Sequence, residues 1–257
     1  MTTTTAEKSE TLRSLHVPGT PLIVTNVWDA VTARIVAGAE GVKALATASH
    51  AISFAHGVED SEGLTVEQAL ESARLIVSAT DLPVSVDFER GYATSLPELE
   101  SNIARLVEVG AAGLNIEDTS GDRSLFPLDV AIARIASVRG AGGNTVINAR
   151  SDGLARGASF EEAVQRANSY LDAGADCIFV LGLSTEDLVK RALDEIDGKI
   201  SVFSGPTSVP LQRLAELGVS RVSFGGGALG LTLAHLQRAA TQLTALGVYP
   251  AELGFSY

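Results

Sequence analysis

The sequence predicts an α/β fold of the (β/α)8, or TIM, barrel type, and three observations predict it. Eight short apolar runs are spread along the chain. Amphipathic stretches with helical periodicity separate them. The 257 residues suit eight βα units closed into one domain.

The runs are "LIVTNV" (22–27), "ALATAS" (44–49), "PVSVDFE" (83–89), "GLNIED" (113–118), "TVINAR" (145–150), "CIFVLG" (177–182), "ISVFSG" (200–205) and "RVSFGG" (221–226). Nearly continuous apolar character marks strands buried on both faces, as in parallel sheets. Helical patterns fall between them at Leu64–Thr80, Leu96–Val109, Ser159–Ala173 and Leu229–Leu246. The segments "GVKALATAS" (41–49), "GAAGLNIED" (110–118), "GADCIFVLG" (174–182) and "GVSRVSFGG" (218–226) share a glycine that ends a helix just before a strand. They precede the even-numbered runs. This spacing reads either as a two-module repeat or as the common need of such loops for a left-handed cap. "GAGGN" (140–144) reads as a helix-to-strand loop rather than a domain boundary. The polar start, "MTTTTAEKSE", reads as the beginning of a disordered tail over residues 1–15, leaving 16–257 as a single barrel domain.

Composition narrows the function. Lys+Arg total 19 against Asp+Glu 31, a formal net charge of −12, with no basic cluster. Nucleic-acid binding is thereby disfavoured. No run of about 18 apolar residues exists, so no membrane span is expected. The polar N-terminus lacks the apolar core of a signal peptide. Cys177 is the only cysteine, which removes an intrachain disulfide or cysteine-rich zinc site and fits a reducing cytoplasm. We read Cys177 as a buried small residue at the far end of the sixth run.

In such barrels the site lies at the C-terminal strand ends. The first run delivers Asn26, Trp28 and Asp29 there, and the second Thr47, Ser49 and His50. The third delivers Asp87 and Glu89, the fourth Asn115, Glu117 and Asp118, and the fifth Asn148, Arg150 and Asp152. Asp60 follows in the loop "HGVEDSEG". Carboxylates crowded at low dielectric repel one another unless a positive charge sits among them. A hard cation such as Mg2+ meets that need with few carboxylates and several waters. Arg150 could neutralise one acid or hold a substrate carboxylate in its fork. Trp28 and His50 are candidates at the rim, with packing and loop placement as their plain alternatives. The lysines Lys8, Lys43, Lys190 and Lys199 avoid the C-terminal strand ends, which argues against a Schiff-base aldolase. No G-x-G-x-x-G opens a helix after the first run, so a dinucleotide fold is unsupported.

The ordered motifs "NVWDAVTAR", "ATASHAISFAHGVED", "VSVDFERGY", "NIED", "INARSDG" and "GADCIFV" resemble the isocitrate lyase/phosphoenolpyruvate mutase superfamily from about Leu22 to Leu246. The resemblance implies a (β/α)8 barrel, Mg2+ as cofactor and bond cleavage beside a 2-oxo or enolate-stabilised carboxylate. It implies Asp87 as the direct metal ligand, with Asp60, Glu89 and Glu117 holding the metal mainly through water. Catalytic candidates are Arg150, Asp60 and Glu117. Substrate-binding candidates are Ser49, His50, Trp28, Asn148 and Arg150, with Thr47–His50 as an oxyanion and carboxylate cradle. A homo-oligomer, dimer or tetramer, with a last helix exchanged between subunits, is also implied. The short stretch after Leu246 reads as a trimmed version of that end.

The departures are specific. The loop after the fourth run reads "TSGDRSLFPL" (119–128) where the lyases carry a cysteine motif and the mutases a lysine and an asparagine. A standard isocitrate or methylisocitrate lyase is therefore not expected. Arg123 and Ser124 are the loop's polar substitutes. Glu89 stands where aspartate is common, and Leu181 replaces a histidine. The expected protein is a cytoplasmic, Mg2+-dependent enzyme acting on a small 2-oxo (di)carboxylate. It would cleave or decarboxylate a C–C bond, or rearrange or cleave a P–C bond, through an enolate-like intermediate. Two alternatives stay open: a phosphorylated metabolite held by the glycines after the seventh and eighth runs (Gly205, Gly225–Gly227), and a catalytically degenerate metabolite binder.

Overall fold

The predicted alternation is present in a computed structural model of the protein that describes residues 3–249. Nine parallel strands form it: β1 (Leu22–Val24), β2 (Asn26–Val27), β3 (Leu45–Thr47), β4 (Val84–Asp87), β5 (Gly113–Glu117), β6 (Val146–Ser151), β7 (Cys177–Val180), β8 (Ile200–Phe203) and β9 (Arg221–Ser223). The first apolar run supplies both β1 and β2, broken at Thr25. Strand order is β1-β9-β8-β7-β6-β5-β4-β3-β2. Because β1 and β2 are consecutive halves of one run, this order closes the eight-run barrel.

Helices α1 (Thr5–Ser14), α2 (Ala30–Ala37), α3 (Ser49–His56), α4 (Val66–Val77), α5 (Leu96–Val109), α6 (Leu128–Gly142), α7 (Phe160–Asp172), α8 (Glu186–Glu195), α9 (Leu211–Leu217) and α10 (Gly227–Thr244) surround it. Helix α5 shows why the pattern was readable. Ser95 caps its start, Gly110 ends it at φ 99°, and Leu99, Ile103 and Leu106 form a buried stripe at helical spacing. Each of those side chains is fully buried, and each contributes about 2 kcal/mol of hydrophobic stabilisation.

Alternate strand residues divide between two surroundings. Val84, Val86, Leu114, Ile116, Ile147 and Ala149 belong to the main apolar core. Their neighbours Ser85, Asp87, Asn115, Glu117, Asn148 and Arg150 are the polar set. Register places Asp87 beside Asn115. It also places Asn115 beside Asn148 and Glu117 beside Arg150. Two residues per pleat therefore carry the polar column up to the C-terminal mouth.

The expected disordered tail over residues 1–15 is corrected. Residues 5–14 form α1. The Thr4 side chain accepts from the Glu7 amide, and the Glu7 carboxylate accepts from the Thr4 amide at 2.7 Å, a capping box. Leu12 is fully buried under the barrel, where it packs over Gly113. Arg13 pairs with Asp176 and donates to the Asn144 carbonyl at 2.7 Å. A polar sequence with one apolar anchor folds here because its partners lie in the barrel floor. The "GAGGN" stretch is partly helical too, since α6 runs through Gly142. Met1, Thr2 and 250–257 lie outside the described residues, and most of the expected trimmed end falls there. Among the described residues no helix is long and apolar enough to cross a membrane.

Candidate active site at the barrel mouth

Asp87 ends β4 against the first turn of α3. Its Oδ2 accepts from the Ser49 amide at 3.1 Å and from Ser49 Oγ at 2.9 Å. Its own amide donates to Thr47 Oγ1 at 2.8 Å. The start of α3 thus holds one oxygen with oriented dipoles. The other oxygen, Oδ1, is buried without a partner among the described residues.

Beyond β4 the chain turns sharply. Glu89 (φ 47°), Gly91 (φ 85°) and Tyr92 (φ 52°) are left-handed. Only glycine fits at 91, since a Cβ there would sit 2.3 Å from Leu99 Cδ1. The turn buries Glu89 and brings the Tyr92 hydroxyl to its Oε1 at 2.6 Å. The Glu62 amide donates to Oε2. Burial pushes the Glu89 carboxyl up to about 7; the Tyr92 hydrogen bond opposes this, and Asp87 and Asp60 add to it.

Glu117 ends β5 and accepts from the Arg150 guanidinium at 2.6 Å. Burial raises its carboxyl to about 8 despite Arg150, helped by Asp87, Asp152 and Glu89. Arg150 also donates to Asp152 Oδ1 at 2.7 Å. Burial works against its charge, but Glu117 and Asp152 outweigh it and hold its pKa above the usual arginine value. Its Nε is buried and unpartnered among the described residues. With one N–H of each terminal nitrogen engaged, Nε is among the donors left for a ligand. Raised carboxylates around a single arginine signal an unbalanced negative site.

The remaining candidates separate. Asp60 Oδ2 lies 3.8 Å from His50 Nδ1, and its Oδ1 is buried without a partner. His50 itself is largely exposed. Asn148 donates to Asn115 Oδ1 at 2.8 Å and keeps a buried, unpartnered Oδ1. Ser49 is occupied by Asp87. Trp28 packs against the small cluster of Ala48, Ala51 and Leu229, the packing alternative. Asp118 leaves the cluster: it accepts from the Asp152 amide at 2.9 Å and the Tyr170 hydroxyl at 2.7 Å. Cys177 is free and buried at the opposite end.

Sequence reasoning assigned no role to Asp152, Tyr92, Glu62 or Arg90. Asp152 had a signal, two residues beyond Arg150 on the same face. The other three depend on left-handed turns that no periodicity announces.

The residues present fit a hard divalent cation. Among the described residues no three His, Cys, Asp or Glu side chains form a ready direct cage. Mg2+ does not need one, because it keeps several waters and binds through one or two carboxylates. Asp87 Oδ1 and Asp60 Oδ1 are buried unpartnered carboxylate oxygens that suit it; Asp152 Oδ2 is a third, on a carboxylate already paired with Arg150. Glu89 and Glu117 suit bound water.

The loop after β5 closes as a tight hairpin. Thr119 bridges Leu125, the Ser120 amide donates to the Ser124 carbonyl at 2.8 Å, and Arg123 is left-handed at φ 65°. After β8 and β9 some of the backbone donors are used within the loops, the Gly227 amide donating to the Phe224 carbonyl at 2.9 Å. The Gly205 amide donates to Ser208 Oγ at 2.8 Å and the Phe224 amide to Asn26 Oδ1 at 2.8 Å. The Phe203 ring sits between Gly205 and Gly225.

The profile described as phosphoenolpyruvate phosphomutase matches residues 12–244. An uncharacterized protein of Mycobacterium tuberculosis is 32% identical over 217 residues, covering 82% of this chain and 80% of its own. The phosphoenolpyruvate phosphomutase of Streptomyces hygroscopicus is 28% identical, covering 93% and 80%. The oxaloacetate decarboxylase 1 of Pseudomonas putida is 28% identical, covering 84% and 78%. A Burkholderia cenocepacia structure, named as a candidate phosphonomutase, superposes with a TM-score of 0.88 at 36% identity, covering 93% of this chain and 99% of that one. With the match running through nearly the whole barrel, the chain belongs to the phosphoenolpyruvate phosphomutase family, within the phosphoenolpyruvate mutase/isocitrate lyase superfamily.

Proposed function

We propose that this protein is a Mg2+-dependent carbon–carbon lyase that cleaves or decarboxylates a small 2-oxo dicarboxylate, with oxaloacetate as the model substrate. The observation that carries this is the mouth cluster of Asp87, Glu89, Glu117 and Asp60, with Arg150 paired to Glu117 and Asp87 Oδ1 buried and unpartnered. Relatives named as oxaloacetate decarboxylases support the substrate class. A phosphonopyruvate hydrolase of the same fold was solved with oxalate and Mg2+.

Breaking a bond beside a 2-oxo acid leaves negative charge on an enolate-like oxygen. The chemistry that Mg2+ supplies when bound is stabilisation of that charge. The protein's own residues do the rest. Asp87, fixed by Ser49 and Thr47, presents Oδ1 to the cation. Asp60, Glu89 and Glu117 would hold the cation through its bound waters. Arg150, steadied by Glu117 and Asp152, offers Nε to the substrate carboxylate. Glu117 or Asp60 moves the proton, since the hairpin at 119–125 carries no thiol. Assembly as a homo-oligomer rests on α10, which leaves Leu231 and Leu236 exposed. A cytoplasmic location suits the lone reduced cysteine.

Calorimetric titration with oxalate, a mimic of the pyruvate enolate, tests the reading. Binding only with Mg2+ present, followed by turnover of oxaloacetate, is expected. In Arg150→Ala, oxalate affinity should fall about 10- to 100-fold while Mg2+ affinity changes far less. Oxalate binding that ignores Mg2+, or equal losses of both affinities, would count against it.

A further inference from the structure

Four of the left-handed non-glycine residues fall in just two segments, Ser61 (φ 72°) and Glu62 (φ 62°) in one and Glu89 (φ 47°) and Tyr92 (φ 52°) in the other. Such residues are costly and persist only where their surroundings over-determine them. Here the surroundings are polar and specific. Glu62 Oε1 accepts from the Tyr92 amide at 2.7 Å and Oε2 from the Arg90 guanidinium at 2.6 Å. The Glu62 amide donates to Glu89. One residue thus makes three ties across the gap, and its ion pair with Arg90 is mostly buried.

The two sides of this clasp are not equivalent. The turn at 88–93 is bolted to the barrel's outer helices. Asn102 in α5 donates to the Gly91 and Tyr92 carbonyls at 3.0 and 2.9 Å. Arg134 in α6 donates to the Arg90 carbonyl. The loop that carries Asp60 reaches this fixed turn through Glu62 and the Ser61 carbonyl, which Arg90 also approaches. Asp60 is only two residues from Glu62, and its unpartnered Oδ1 is buried.

We infer that Glu62 and Arg90 are positioning residues: their ion pair fixes the loop 57–64 onto the turn at 88–93 and so holds Asp60 beside Asp87 and Glu89. Glu62 does not touch the cation. It introduces a further carboxylate next to an acid cluster, and Arg90 neutralises it locally. A glutamine would fill the same space without that added charge. The ion pair therefore serves to hold the loop in place. This inference rests on the cation-site reading above.

The test is Mg2+ calorimetry on the full-length wild type, Glu62→Gln, Arg90→Met and Arg90→Lys, with thermal unfolding midpoints measured alongside. Residues that orient metal ligands typically carry 10- to 100-fold in affinity, so Glu62→Gln and Arg90→Met should each bind Mg2+ about tenfold more weakly. Arg90→Lys, which keeps the charge, should recover most of the loss. The double variant Glu62→Gln/Arg90→Met should lose no more than either single one. Unchanged Mg2+ affinity in Glu62→Gln and Arg90→Met, with or without a lowered midpoint, would make the clasp a purely structural tie and overturn the proposal. Absence of Mg2+ binding by the wild type would overturn the cation site itself, a separable result.

Discussion

The two ends of the barrel carry opposite unbalanced charge. At the mouth, Glu117, Asp152 and Asp87 gather around Arg150, and Glu89 and Asp60 add to the same acid cluster. At the floor, Arg221 is buried with only a 3.2 Å hydrogen bond to Ser85 Oγ across the barrel and an unpartnered Nε. No acid pairs with it among the described residues. Elsewhere in the floor Asp176 balances Arg13 and Arg139, but around Arg221 the neighbours are held neutral. Burial pushes the Cys177 thiol up to about 12. Burial, then Arg221, pulls His16 down to about 3. The mouth is not quieted this way, because its acids are too many and too close. Backbone strain divides likewise. Of the left-handed non-glycine residues among those described, Ser61, Glu62, Glu89, Tyr92 and Arg123 lie in loops at the mouth, and only Leu246, just past α10, does not. The floor turns use glycines such as Gly218 (φ 105°). One end is built for stability, the other holds a geometry that folding alone would not choose.

Breaking the mouth should have the largest effect. Asp87→Ala should lower Mg2+ affinity by about 100-fold or more, measured by calorimetry, because it removes the direct ligand. The unfolding midpoint of the metal-free protein should stay or rise, since one repelling charge leaves. Retained Mg2+ affinity would show that the acids serve another purpose.

The strain comparison is sharpened by two glycines. Gly91→Ala places a Cβ 2.3 Å from Leu99 Cδ1 in a left-handed turn. It should cost about 3 kcal/mol in chemical denaturation. Gly218→Ala meets nothing within 4 Å and should cost about 1 kcal/mol for its left-handed backbone alone. Equal costs would remove the asymmetry.

The remaining effect belongs to the floor and shows only as a pH dependence. His16 has a folded pKa of about 3 against an ordinary value of 6.5. Between those values the unfolded chain binds the proton and the native one does not. Stability from this group is therefore complete above the ordinary value and is lost as pH falls below it. His16→Gln should flatten the acid side of the stability curve by about 1 kcal/mol per pH unit. An unchanged slope would mean that His16 is solvated in the native state.

The sequence showed the ends of β4, β5 and β6 clearly because strand residues two apart share a face. Asp87, Glu117 and Arg150 needed only that rule. Helix α5 was bounded correctly because Ser95 and Gly110 are unambiguous caps. What failed was long-range or turn-dependent. Helix α1 reads as a tail because its polar composition outweighs a Thr4–Glu7 capping box and the single anchor Leu12. Glu62, Arg90 and Tyr92 were silent because their meeting depends on left-handed residues in two separate loops. Asp118 read as a strand-end acid, yet its partners Tyr170 and the Asp152 amide turn it away from the cluster.

The central claim is that the mouth acids crowd together to hold a divalent cation. It is tested most directly by soaking crystals with Mn2+, which shares the oxygen-ligand preference of Mg2+, and recording anomalous diffraction. The account predicts one strong peak beside Asp87 Oδ1, with Asp60, Glu89 and Glu117 within reach of its bound waters. No peak at the mouth, or a peak that persists in Asp87→Ala, would contradict it.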